Sequence, residues 1–220
     1  MNLKVRAYLF TVGSALFVLF SVFSYAVKKR LLTQIDFDTT VRLQDNISRR
    51  LDTPFSTFSL FGSFEVTSVI VILIGLFFLF KFRKLYFGLG LFFVAIFIEL
   101  LGKLFIYNPG PPFFMLRYNL DFNFPQHYIQ THYSYPSGHM LRTAFLATFF
   151  IFFLVRKFPF RKRNLLLTGA ILFFTGTMFL SRIYLAEHWF SDVFGGFLLG
   201  SASALLTLSL FPSNHKKLPV

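Results

Sequence analysis

The sequence predicts an all-α membrane protein, a six-span transmembrane helical bundle. Three observations predict it. The 220 residues are 55% hydrophobic and include 36 Phe, with a mean hydropathy of +0.63. A helix that crosses a bilayer takes roughly 20 apolar residues, and six apolar runs near that length occupy most of the chain, at about 7–27, 62–80, 85–107, 137–155, 164–181 and 189–211. The charged residues collect between and at the ends of these runs, not along one soluble face.

The first run is uncharged from Ala7 to Val27. That is longer than a signal-peptide core, and no convincing small-residue cleavage site follows, so it reads as a retained span. The chain divides into an anchor span over 1–35, a membrane domain over 36–211 and a short tail over 212–220. Twelve of the 22 Lys and Arg (Lys4, Arg6, Lys81, Arg83, Lys84, Arg156, Lys157, Arg161, Lys162, Arg163, Lys216 and Lys217) fall in short segments that hold no Asp or Glu. The positive-inside bias therefore places both termini in the cytoplasm of a multi-pass plasma membrane protein, with loops 28–61, 108–136 and 182–188 outside. In the first outer loop, Asp38 or Thr39 can cap a helix, and Leu43, Ile47 and Leu51 repeat at i, i+4 and i+8 against a charged face. This predicts an amphipathic surface helix, more readily a packing element than a substrate contact. Pro109-Gly110-Pro111-Pro112 ends the third span, because proline cannot continue a helix ladder. Gly196 and Gly200 form a small-xxx-small pair for close helix packing.

The absence of Cys excludes disulfides, thiolate chemistry and cysteine metal sites. A net charge of +13 invites a nucleic-acid reading, but the charges lie between membrane runs and no nucleic-acid-reading motif is present. The expected surroundings are the bilayer itself and no nucleic acid. The sequence leaves the oligomeric state open.

Three polar clusters emerge on one side of the predicted bundle. His188 and Asp192 are four apart, so on a helix they share one face. The carboxylate can then hold one imidazole nitrogen and leave the other as a nucleophile. Pro136-Ser137-Gly138-His139 opens the fourth span, where free backbone N–H groups and the helix dipole favour an anion. Ser137 adds a hydroxyl, Gly138 permits close approach, and His139 can protonate a leaving oxygen. Arg182 offers a planar fork for phosphate oxygens and Lys103 a mobile point charge. Each cluster also has a plainer reading: a polar interfacial pair, a serine helix cap, and a structural Glu99–Lys103 ion pair one turn long. Trp189 and the outer tyrosines read as an interfacial aromatic belt. His127, His132 and His215 have no ligand spacing with one another, and no metal or other cofactor is expected.

At these residues the chain resembles the type 2 phosphatidic acid phosphatase family of membrane lipid phosphatases, relatives of the vanadium haloperoxidases. That family carries the motifs K-x6-R-P, P-S-G-H and S-R-x5-H-x3-D. The second matches Pro136-Ser137-Gly138-His139. The third is complete in Ser181-Arg182, His188 and Asp192. The first departs, since Lys103 is followed after six residues by Gly110-Pro111, with Gly where the family has Arg. Arg142, three residues beyond His139, is the expected replacement, and Arg117 in the outer loop is a second candidate.

The resemblance, which covers roughly 36–205, implies a phosphatase/haloperoxidase-like helical core and a two-step reaction. His188 attacks phosphorus, Asp192 holds its ring, and His139 protonates the departing oxygen. Lys103, Ser137, Gly138, Arg182 and the substitute Arg142 bind phosphoryl oxygens. The implied substrate is a lipid phosphate or diphosphate such as phosphatidate, phosphatidylglycerol phosphate or a polyprenyl diphosphate, hydrolysed without metal. Two alternatives stay open: a lipid phosphotransferase, and a noncatalytic lipid-binding or transport protein, for which the Gly110 departure is the argument.

Overall fold

The computed structural model describes residues 1–82, 87–122, 124, 133–157 and 162–211, and these residues are helical with no strand. Among the described residues eight α-helices follow in order: α1 Leu3–Lys28, α2 Thr33–Asn46, α3 Asp52–Ser59, α4 Phe64–Phe82, α5 Gly90–Phe105, α6 Gly138–Lys157, α7 Lys162–Tyr184 and α8 Phe190–Ser209. Among the described residues, five helical segments are long and apolar enough to cross a bilayer: Leu3–Lys28, Arg49–Phe80, Gly138–Arg156, Lys162–Tyr184 and Phe190–Ser209. The chain is a multi-pass membrane protein. The expected third span, 85–107, is α5, whose 16 residues rise about 24 Å against a hydrocarbon core of about 30 Å. It is shorter than the run predicted because proline-rich 109–112 stops it at one end and a 3-10 turn, Phe87–Leu89, precedes it at the other.

α8 is the core helix. Its buried face carries Gly195, Gly196, Gly200, Ser201, Ala202, Ser203 and Ala204, and α1, α5 and α6 pack around it. Small side chains let backbones meet, and in lipid such van der Waals contact drives association because apolar burial by itself gains little. A Cβ on Gly196 would strike the carbonyl oxygen of Ser137, the residue before α6, and one on Gly200 the Leu141 carbonyl oxygen within α6. This close crossing brings the N-terminus of α6 beside that of α8. At the other end, Phe78, Phe92, Phe145, Phe149, Phe153 and Phe211 interlock, with Phe92 and Phe145 centroids 5.0 Å apart and Phe149 and Phe153 5.1 Å apart. Outward-facing apolar side chains such as Val18, Leu73, Phe97 and Phe173 remain exposed, as a lipid-facing surface requires.

The amphipathic segment of the outer loop forms earlier than its apolar spacing predicted. α2 starts at Thr33, so Asp38 and Thr39 lie inside it, Ile47 ends it in an extended conformation, and Leu51 belongs to a separate 3-10 turn. The cause is local. Arg30 takes a left-handed φ of 58° after α1, and the chain re-enters helix at once, with Asp36 N–H donating to the Leu32 carbonyl. Arg83, Lys84, Arg161, Lys216, Lys217, His127, His132, His215 and the 212–220 tail lie outside the described residues.

Gly200→Ala is expected to destabilise the detergent-solubilised protein by about 1–3 kcal/mol through overpacking. Gly176→Ala is the matched control, because nothing lies within 4 Å of its added Cβ, and its stability should hold or rise. Thermal unfolding of both variants checks the pair.

Candidate active site

The chain leaves α7 at Tyr184 and must turn sharply to start α8 at Phe190. Ala186 accomplishes this with φ 55°, a left-handed conformation that costs a non-glycine residue about 1–2 kcal/mol. The turn returns the His188 N–H to the Arg182 carbonyl at 3.3 Å, so the two motif residues are fixed relative to each other by backbone.

Asp192 sits in the first turn of α8, fully buried. Its Oδ2 accepts the Trp189 N–H at 3.0 Å and its Oδ1 accepts from Asn108 Nδ2 at 2.8 Å. Oδ2 lies 3.5 Å from His188 Nδ1, an ion-pair distance at which Nδ1 makes no hydrogen bond. The backbone carbonyl of Asp192 accepts the Ser137 N–H at 2.9 Å, binding the head of α6 to the head of α8. Asp36, buried on α2, accepts from Ser191 N at 2.7 Å and Ser191 Oγ at 2.8 Å. Burial pushes its carboxyl up to about 6, against the two Ser191 hydrogen bonds that lower it. The Trp189 indole, expected as a belt residue, donates to the Pro109 carbonyl at 2.7 Å.

Burial pushes the His188 imidazole below the ordinary histidine range. Asp192 pulls it up, while the positive charges of Arg182 and Lys103 push it further down. The ring is therefore biased towards the neutral form that a nucleophile needs.

A cavity of about 790 Å³ is lined by His139, His188, Lys103, Arg142, Arg182 and Gly138, among others. Glu99 bridges two of its cations, with Lys103 Nζ 2.8 Å from Oε1 and Arg142 Nη1 3.3 Å from Oε2. Arg142 Nε also donates to the Gly62 carbonyl at 3.1 Å. Arg182 pairs through Nη2 with Glu187. Its Nε and Nη1, and the hydroxyl of Ser137, are buried without a hydrogen-bond partner among the described residues. Leaving donors buried and unpaired costs about 1–3 kcal/mol each, more for a charged group; Arg182 lines the cavity, where an acceptor can reach it, whereas Ser137 is not among the lining residues.

Most of the predicted site residues come together, with two revisions. Gly138 does not leave room for a ligand at its Cα, since a Cβ there would strike the Glu99 carboxylate. The glycine allows the buried ion pair to approach. Arg117 is not a cavity residue. It donates to the Tyr184 hydroxyl at 3.1 Å and the Gln44 carbonyl at 3.1 Å, and stacks on the Tyr184 ring, clamping α2 to the end of α7. Sequence reasoning missed Glu65 and Glu187 in the cavity wall and Asn108 and Asp36 behind Asp192. Glu187 had a legible signal, as an acid immediately before the motif histidine. Asn108 and Asp36 had none, because their roles arise only from tertiary contact. Among the described residues no three His, Asp or Glu side chains are grouped as metal ligands.

The sequence model described as the PAP2 superfamily matches residues 83–216, more than half of the chain. The chain belongs to the PAP2 superfamily. This PAP2 chain is 32% identical to phosphatidylglycerophosphatase B of Bacillus subtilis (strain 168) over 146 residues, 63% of its own length and 64% of that relative's. It thus spans just under two thirds of the relative it matches. Its fold is similar to the crystal structure of a transmembrane PAP2 type phosphatidylglycerolphosphate phosphatase from Bacillus subtilis, with a TM-score of 0.70 and 21% identity, covering 89% of this chain and 94% of that one. It is also similar to Aquifex aeolicus LpxE, with a TM-score of 0.53 and 22% identity, covering 79% and 94%. These two likenesses establish the fold.

Arg142→Ala is expected to cost about 3–5 kcal/mol of stability, because it leaves buried Glu99 with Lys103 alone. Chemical unfolding in detergent measures it, and a loss under 1 kcal/mol would mean that the Glu99 bridge is not structural.

Proposed function

We propose that this protein is a metal-independent lipid phosphate phosphatase that works through a phosphohistidine. The observation that carries the reading is one cavity in which His188, backed by Asp192 at 3.5 Å, faces the same space as His139 and the unpaired donors of Arg182. His188 Nε2 attacks phosphorus while the bond from phosphorus to the lipid oxygen breaks. Asp192 takes up the positive charge that develops on the ring by accepting the Nδ1 proton's hydrogen bond. His139 gives its proton to the departing lipid oxygen. It then takes one from the water that attacks the phosphohistidine, so inorganic phosphate leaves and both histidines return to their starting states. Arg182, Lys103 and Ser137 stabilise the equatorial oxygens, the main demand of phosphoryl transfer. Gly138 contributes backbone at the head of α6. Arg142 stands in for the arginine absent at Gly110, because it lines the same cavity and carries the same charge.

The substrate is an amphiphile. Phe93, Phe97 and Leu100 recur on one face of α5 and, with Phe64 of α4, form an apolar wall continuous with the charged end of the cavity. Acyl or prenyl tails lie along that wall with the phosphate at the histidines. Phosphatidylglycerol phosphate is the first candidate, from the name of the Bacillus relative; phosphatidate and polyprenyl diphosphates share the same chemistry. The charge bias supports a site at the extracytoplasmic face of the plasma membrane, with both termini inside.

The test is phosphate release from purified protein on a panel of lipid phosphates, with EDTA present. Turnover is expected on at least one, and His188→Ala is expected to abolish it; turnover that survives His188→Ala overturns the phosphohistidine.

The pH profile gives a second check. Only neutral His188 attacks, and its pKa is lowered, so the acid limb should lie below about pH 6.5. Asp192→Asn removes the group that raises this pKa. The limb should move further to acid while the plateau rate falls about 100-fold or more.

A further inference from the structure

Glu187 lies beside the phosphate-binding residues without a place in the reaction just described. It lines the cavity and forms an ion pair with Arg182 Nη2, with the two side chains 9% and 1% exposed. The contact falls at a decisive atom. A guanidinium binds phosphate best through two parallel N–H donors. It has two such edges, one shared by Nε and Nη2, the other by Nη1 and Nη2. Nη2 supplies one N–H to each, so a carboxylate seated there competes with a phosphate for the edge it faces and sets a like charge beside the other. Meanwhile Nε and Nη1 are buried with no partner among the described residues.

We propose that Glu187 is a resident anion on Arg182 that the incoming phosphate displaces and that returns when inorganic phosphate leaves. This rests on the phosphatase reading above. Glu99 cannot play the same part. It sits within α5, bridged between Lys103 and Arg142, whereas Glu187 stands on the short irregular segment between α7 and α8, where a side chain can swing without moving a helix. Between turnovers Glu187 holds the guanidinium aligned and compensates its buried charge. During release its return competes with product. It is a positioning residue that acts through Arg182, and it sets how tightly any phosphate or diphosphate is held.

A purely structural role predicts the opposite sign. If Glu187 only aligned Arg182, removing its charge would weaken phosphate binding. If it competes, removing its charge strengthens binding, because like charges no longer meet at one site. The experiment measures inorganic phosphate and orthovanadate binding to the detergent-purified full chain by calorimetry, together with product inhibition by phosphate. Glu187→Gln and Glu187→Ala are expected to bind both anions about tenfold more tightly, with a matching fall in the phosphate inhibition constant. Glu187→Asp should restore values near wild type. Affinity that is unchanged or reduced in both Gln and Ala, with each variant folded by its thermal transition, overturns the proposal. Failure of the wild-type protein to release phosphate from any lipid phosphate overturns the phosphatase reading instead, so the two failures are distinct.

Discussion

Asp192 joins three parts of the molecule within one residue. Its backbone carbonyl holds the first turn of α6 through Ser137, and its two carboxylate oxygens hold the Asn108 amide and the Trp189 N–H while facing His188. A carboxylate buried this completely persists only when its lone pairs are occupied. The same hydrogen bonds that make its burial tolerable also fix the carboxylate beside the imidazole. The heads of α6 and α8 can meet there because Gly196 and Gly200 bring the two backbones together. Helix packing and site geometry are thus one constraint.

The cavity carries Lys103, Arg142 and Arg182 together with Glu65, Glu99 and Glu187. Within apolar surroundings, isolated ions cost several kcal/mol each, and internal carboxylates offset that cost. They also repel a phosphate. The arrangement resolves the conflict by dividing labour. Glu99 is committed to two cations and stays inside α5, while Arg182 keeps two donors for an incoming acceptor.

The apolar spans were legible because lipid imposes one strong demand, a run of apolar residues with backbone satisfied internally. Their order and approximate limits follow from it. α5 came out short because proline and a 3-10 turn trimmed a run that hydropathy alone extends. The outer helix was legible in kind but not in register, since Leu43, Ile47 and Leu51 keep helical spacing across a break that only Ile47's extended backbone reveals. At the site, His139, His188, Arg182 and Lys103 were visible as polar residues in places that disfavour them. Asn108 and Asp36 were not, because an Asn in a loop and an Asp on a surface helix are ordinary until tertiary contact gives them a task. Arg117 misled for the converse reason: an arginine near a motif looks like an anion ligand, yet here it clamps carbonyls and a tyrosine.

The interlocked phenylalanines of α4, α5 and α6, with Phe211 just beyond α8, give the molecule a sharp division of character along its helix axes. Edge-to-face ring contacts supply cohesion at one pole and hydrogen-bonded ions supply reactivity at the other, with glycine-lined backbone contact between them. Because α5 and α6 carry residues of both poles, a substitution at the cohesive pole reaches the ionic pole along the helix backbones.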